Sequence, residues 1–111
     1  MTSPSPPNPH SIEILAAACK AAGDPLRLSI LRVLSKNSFG VLELAYIFQT
    51  GQSGISHHLK VLTQAGLATT RREGNAVFYR RSLPQDSAMH TALLQELDRL
   101  PLQPELKARV D

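Results

Sequence analysis

Between residues 41 and 82 the spacing of apolar residues switches from the helical period to the strand period, and glycine-bearing breaks separate the segments. Leu44, Ile47 and Phe48 mark a short helix over about residues 41–49. Thr50-Gly51 supplies a tight turn. Ile55, Leu59, Leu62 and Gly66 then fall on one narrow stripe of a second helix, over about 52–64, which Ala65-Gly66 terminates. Residues 67–72 and 76–82 are rich in Thr, Val, Phe, Tyr and Arg and flank Glu73-Gly74-Asn75, which predicts a β-hairpin. Two short helices joined by a tight turn and followed by a basic hairpin form the pattern of a winged helix-turn-helix.

The flanking segments fit that frame. Asp24-Pro25 is a helix start, because Asp caps free N–H groups and Pro at the first helical position wastes none. Leu26, Ile30, Leu31, Val33 and Leu34 face inward from a helix over about 25–36. Ahead of it, Ile12, Leu15, Ala16, Cys19 and Ala22 recur at helical spacing over 12–22, with Gly23 as the stop. After Pro84, a stripe of Met89, Leu93, Leu94, Leu97 and Leu100 predicts a last helix over about 85–100, which Pro101 and Pro104 break. The expected fold is mainly α with a small β-hairpin wing, in the order four helices, hairpin, helix. Residues 1–10, with four prolines and two serines, read as a disordered arm. Residues 11–100 form the folded domain, and 101–111 a polar tail or linker.

A length of 111 residues suits one modest core. Lys and Arg outnumber Asp and Glu by only 12 to 9, but Arg71, Arg72, Arg80 and Arg81 fall within one short stretch. Clustered positive charge suits a polyanion. Cys19 is the single cysteine, so no intramolecular disulfide can form, and its apolar neighbours predict a packed thiol. The chain shows neither an export leader nor an apolar run near membrane length, so a cytoplasmic protein that does not span a membrane is expected.

The second helix of the pair carries the candidate chemistry. Ser53, Ser56, His57, Lys60 and Gln64 fall opposite the apolar stripe, and Gln52 joins Ser53, Ser56 and His57 near the N-terminal end. Base contacts are usual at that end. Gln and Ser read base edges as donors and acceptors, and Lys60 suits a phosphate. Solvated helix faces ordinarily mix both charge signs, yet no Asp or Glu occurs between Gln49 and Arg72. His58 projects roughly 60° off the stripe, which predicts a half-buried ring with a local partner and argues against a two-histidine metal site. In the hairpin, alternation splits the arginines between two faces. Arg71, Arg72 and Asn75 are the expected contacts. Glu73 should turn away from phosphate, and either Val77 with Tyr79 or Phe78 should anchor the hairpin to the core. No phosphate loop, nucleophile signature or metal-ligand cluster supports an enzyme, and no cofactor is expected. A winged helix that binds proteins instead of DNA would carry acidic residues on the second helix, where this chain has none.

The stretches AAGDPLRLSILRVLSK, LELAYIF and QSGISHHLKVLTQAGLATTRREGNAVFYRR, across about residues 16–83, resemble the ArsR/SmtB family of bacterial repressors. The resemblance implies a homodimer built from the first and last helices, with one recognition helix in each half-site of an inverted-repeat operator in double-stranded DNA. It also implies a ligand-driven release from DNA, but the usual ligands are missing. Gly40 and Leu42 stand where one family site has its Cys-x-Cys pair, and Asp86 and His90 retain only part of another. A small-molecule effector, or none, remains. Some members of the family are fused to a methyltransferase domain, so an alternative reading makes this chain the DNA-binding part of such a protein.

Overall fold

The computed structural model describes residues 11–82 and 87–111, so the expected arm over 1–10 lies outside the described residues. The elements run α1 (Ile12–Ala22), α2 (Pro25–Val33), α3 (Val41–Phe48), α4 (Gln52–Gln64), β1 (Ala68–Glu73), β2 (Ala76–Arg81), α5 (Ala88–Arg99) and α6 (Pro104–Val110). This is a winged helix-turn-helix with one helix more than the sequence reading supplied.

Side-chain caps set most helix starts. Ser11 accepts from the Ile14 N–H at 3.2 Å, Asp24 from Arg27 at 2.9 Å, and Ser87 from His90 at 3.2 Å. Glu43 reaches back to accept from the Gly40 N–H at 2.9 Å. α2 stops at Val33, short of the expected Lys36. There the Ser35 N–H donates to Arg32 O, a three-residue step that tightens the last turn and ends the α-helix.

One core joins all the helices. Ile30, Leu31, Leu44, Ile55, Leu59 and Leu62 are fully buried, with Leu67 just before β1, Ala68 at its start, and Leu94 and Leu97 of α5 completing it. α1 departs from expectation. Its buried residues are Ala18 and Ala21, whereas Ile12 is 81% and Leu15 49% exposed, and Cys19 is exposed, not packed. An alanine-rich helix is apolar on both faces, and the small face is the one that fits tightly against α2 and α4. The α5 stripe also divides differently, because Leu94 and Leu97 fill this protomer's own core while Leu100 is exposed.

The segment expected to be a polar tail is α6. Pro104 occupies its first turn, Leu106 is buried in the core, and the Arg109 guanidinium donates to the Ile47 carbonyl at 2.9 Å, capping the end of α3.

Candidate nucleic-acid interface

α3 and α4 meet through residues 49–51. Gln49 itself adopts the left-handed conformation, φ 51° and ψ 48°, and its side-chain amide donates to Tyr46 O at 2.7 Å. Sequence reading assigned that turn to Thr50-Gly51, but Gly51 has ordinary extended backbone at the α4 N-cap. At the far end Gly66, φ 77°, reverses the chain so that Leu67 enters the core.

α4 sorts its residues as its spacing predicts. Ile55, Leu59 and Leu62 are buried, while Gln52, Ser53, Ser56, His57, Lys60 and Gln64 are all exposed on one outer face. Thirteen residues span about 20 Å, long enough to lie along a major groove. The outer face carries hydrogen-bonding groups and one ammonium, with no carboxylate.

His58 sits half-buried, as expected, and its partner is Arg27. The guanidinium donates to His58 Nδ1 at 3.2 Å, to Ala21 O at 2.8 Å and to Lys20 O at 3.2 Å. One side chain thereby ties the end of α1, the start of α2 and the recognition helix together. Because a guanidinium only donates, Nδ1 accepts and the imidazole carries its proton on Nε2. Asp24 lies beside this hub. The backbone N–H of Arg27 holds its carboxyl below the ordinary carboxylate value; burial opposes this, and the positive charge of Arg27 adds to it.

The hairpin pairs Arg71 with Phe78, Arg72 with Val77 and Glu73 with Ala76 across a two-residue turn of Gly74 and Asn75. Gly74 supplies the positive φ, 59°, that such a turn needs at its first position. Tyr79 anchors the hairpin. It packs against the core, and its backbone exchanges two hydrogen bonds with Phe39, at 2.8 and 3.0 Å. The three expected contacts of the wing do not share one face. Arg72 is exposed on the side of Val77, Asn75 is exposed at the tip, and Arg71 lies on the opposite side. There Arg71 pairs with Glu73 at 3.3 Å and lies 5.9 Å from the Phe78 ring centroid, so Glu73 neutralises part of the charge on that face of the wing.

Arg81 serves structure. Its two terminal nitrogens meet both Asp98 oxygens, at 2.7 and 2.9 Å, with only 16% of its side chain exposed. This fork fastens the base of the wing to α5. It also holds the Asp98 carboxyl below its ordinary value, the hydrogen bond from Arg81 being the main cause. Sequence reading missed this pair and Arg109, because their partners lie 17 and 62 residues away. α6 did have a local signal, with Pro104 at the first position, Glu105 in the first turn and Lys107 and Arg109 in the last. No group of three or more potential metal ligands occurs among the described residues; Asp86 lies outside them.

A profile of the bacterial regulatory proteins of the arsR family matches residues 24–70, from the α2 cap through the recognition helix into β1. The chain is 43% identical over 68 residues to an uncharacterized HTH-type transcriptional regulator of Methanocaldococcus jannaschii, covering 60% of this chain and 76% of that one. It is 39% identical over 69 residues to the arsenical resistance operon repressor of Staphylococcus xylosus, covering 62% of this chain and 66% of that one. Among solved structures, reduced HlyU from Vibrio cholerae N16961 superposes with a TM-score of 0.67 at 35% identity, over 82% of this chain and 92% of that one. The chain belongs to the arsR family of bacterial regulatory proteins: it is a DNA-binding transcriptional regulator built on a winged helix-turn-helix, and not an enzyme.

Proposed function

We propose that the protein is a cytoplasmic, homodimeric repressor that binds an inverted-repeat operator. α4 enters the major groove, where Gln52, Ser53, Ser56 and His57 read base edges. Lys60, Gln64, Arg72 and Asn75 hold the phosphate backbone and the adjacent minor groove, while Arg71, on the other face of the hairpin and paired with Glu73, is left out of the contact. The observation that carries this reading is the outer face of α4, exposed, rich in donors and free of carboxylates, on a helix whose inner stripe is buried. Dimerisation through α1 and α5 draws support from the apolar side chains that α1 leaves in solvent, Ile12 and Leu15. The position of Leu42, exposed and without a ligating atom, favours a signal other than a metal or a dithiol.

Selection from a random duplex pool tests the proposal. Enriched sequences should be inverted repeats with half-sites about one helical turn apart. Affinity should fall tenfold or more between about 50 and 200 mM salt. Lys60→Ala should weaken all sequences equally and reduce the salt slope, whereas Ser56→Ala and His57→Ala should cost about 1–3 kcal/mol at particular base pairs. Unchanged operator preference in both of the latter variants would refute the base-reading role of this face.

A further inference from the structure

The turn after α2, the base of β2 and the middle of α5 do not close on one another but enclose an open groove of about 450 Å3. Leu34 and Leu94, both buried, make an apolar floor. The walls carry short hydrogen-bonding groups, with Asn37 from the turn, Ser82 from the end of the hairpin, and Thr91 and Gln95 from α5. Volumes of roughly 300–1,000 Å3 with an apolar base and a few convergent polar groups typify small-molecule sites. The charges are unbalanced. Lys36, Arg80 and Arg81 line the groove against one carboxylate, Asp98, and Arg81 occupies both of its oxygens. Lys36 and Arg80 therefore have no ion-pair partner among the described residues. Two cations unpaired among the described residues, beside a low-dielectric floor, concentrate anions.

We propose that this groove binds a small hydroxylated organic anion, a carboxylate or a phosphate monoester. Its charged end lies by Lys36 and Arg80, and its hydroxyls meet the amides and hydroxyls of Asn37, Thr91 and Gln95. A metal cation is disfavoured by the positive excess, and an uncharged ligand leaves that excess unused. The occupant touches the base of the wing and α5 together. On the DNA-binding reading proposed above, on which this consequence rests, occupancy shifts the setting of the wing and hence operator affinity.

The test uses the full chain, isotope-labelled and free of DNA, titrated with glycerol 3-phosphate and separately with glycerol and inorganic phosphate. The expected result is saturable shifts of the Asn37, Ser82, Thr91 and Gln95 amides, at least tenfold weaker binding of inorganic phosphate, and none of glycerol. A Lys36→Gln/Arg80→Gln double variant should lose tenfold or more in affinity for glycerol 3-phosphate at an unchanged melting temperature. Absence of saturable shifts, equal binding of glycerol or inorganic phosphate, or shifts confined to α4 and the hairpin tip would each overturn the proposal. The last outcome would mark the phosphate as a mimic of the DNA backbone. A second arm adds duplex, whose affinity should change severalfold at saturating probe. Groove shifts that persist while no duplex binds would sink the DNA reading and leave the site standing.

Discussion

Cutting the fork between Arg81 and Asp98 should cost more than removing an ordinary surface ion pair. Exposed pairs are worth about 0–1 kcal/mol, and breaking a buried pair costs about 3–5 kcal/mol. This pair lies between those limits, with 16% of the Arg81 side chain and 40% of the Asp98 side chain exposed. Its two parallel bonds, 2.7 and 2.9 Å, have the bidentate geometry that makes Arg–carboxylate pairs strong. A coupling of about 1.5 kcal/mol follows, discounted from the buried value for the water that reaches Asp98. Asp98→Ala should cost about 2 kcal/mol in all, because it strands a cation whose other acceptor, Leu31 O, is distant at 3.4 Å. For a chain of this size that is a fall of roughly 8 °C in melting temperature. The assay is a double-mutant cycle of Arg81→Gln and Asp98→Asn in urea, at one fixed protein concentration so that any association cancels. Coupling below about 0.3 kcal/mol, the ordinary scatter of additivity, would refute the claim that this fork secures the wing.

Three further outcomes follow from the same structure. Asp24 and Asp98 both titrate below the ordinary value of 3.8, so their stabilisation is complete above that pH and is lost as pH falls below it. The melting temperature should hold from neutrality to about pH 5 and decline below about pH 4, less steeply in Asp98→Asn; an identical decline in that variant would exclude Asp98 as a source. Gly66→Ala should destabilise by about 1 kcal/mol because φ is 77° there, while Gly54→Ala, inside α4 with its nearest new neighbour at 3.8 Å, should stabilise by about 0.5–1 kcal/mol in thermal melts. Equal signs for the two would contradict the backbone argument. Leu106→Ala should cost about 2 kcal/mol in urea unfolding if α6 is part of the core, and less than 0.5 kcal/mol, roughly, if it were a solvated tail.

The recognition helix was the most legible part of the chain. Its buried and exposed positions follow from a 3.6-residue period that sets the inward direction of every side chain once one is fixed. The caps at Asp24 and the turn at Gly74 were legible for the same reason, because both arise within a few residues of sequence. α1 was not legible. Ala18 and Ala21 compete with Ile12 and Leu15 for the inward side, and only the space beside α2 and α4 decides between them. Cys19 followed α1 outward. Among the arginines, composition marked a basic hairpin, but Arg81 turned to Asp98 and Arg71 to Glu73, leaving Arg72 as the exposed guanidinium on the side of Val77.

The order of elements from α1 to α5, the apolar side of α4 and the acid-free character of its outer side were determined by the sequence alone, because period, caps and glycine stops act over a turn or two of chain. Tertiary structure decided which of two apolar faces α1 buries, which arginines remain free, and that residues 104–110 fold back onto α3. Those outcomes depend on partners distant in sequence, and a contact across tens of residues leaves no periodic mark on either segment that makes it.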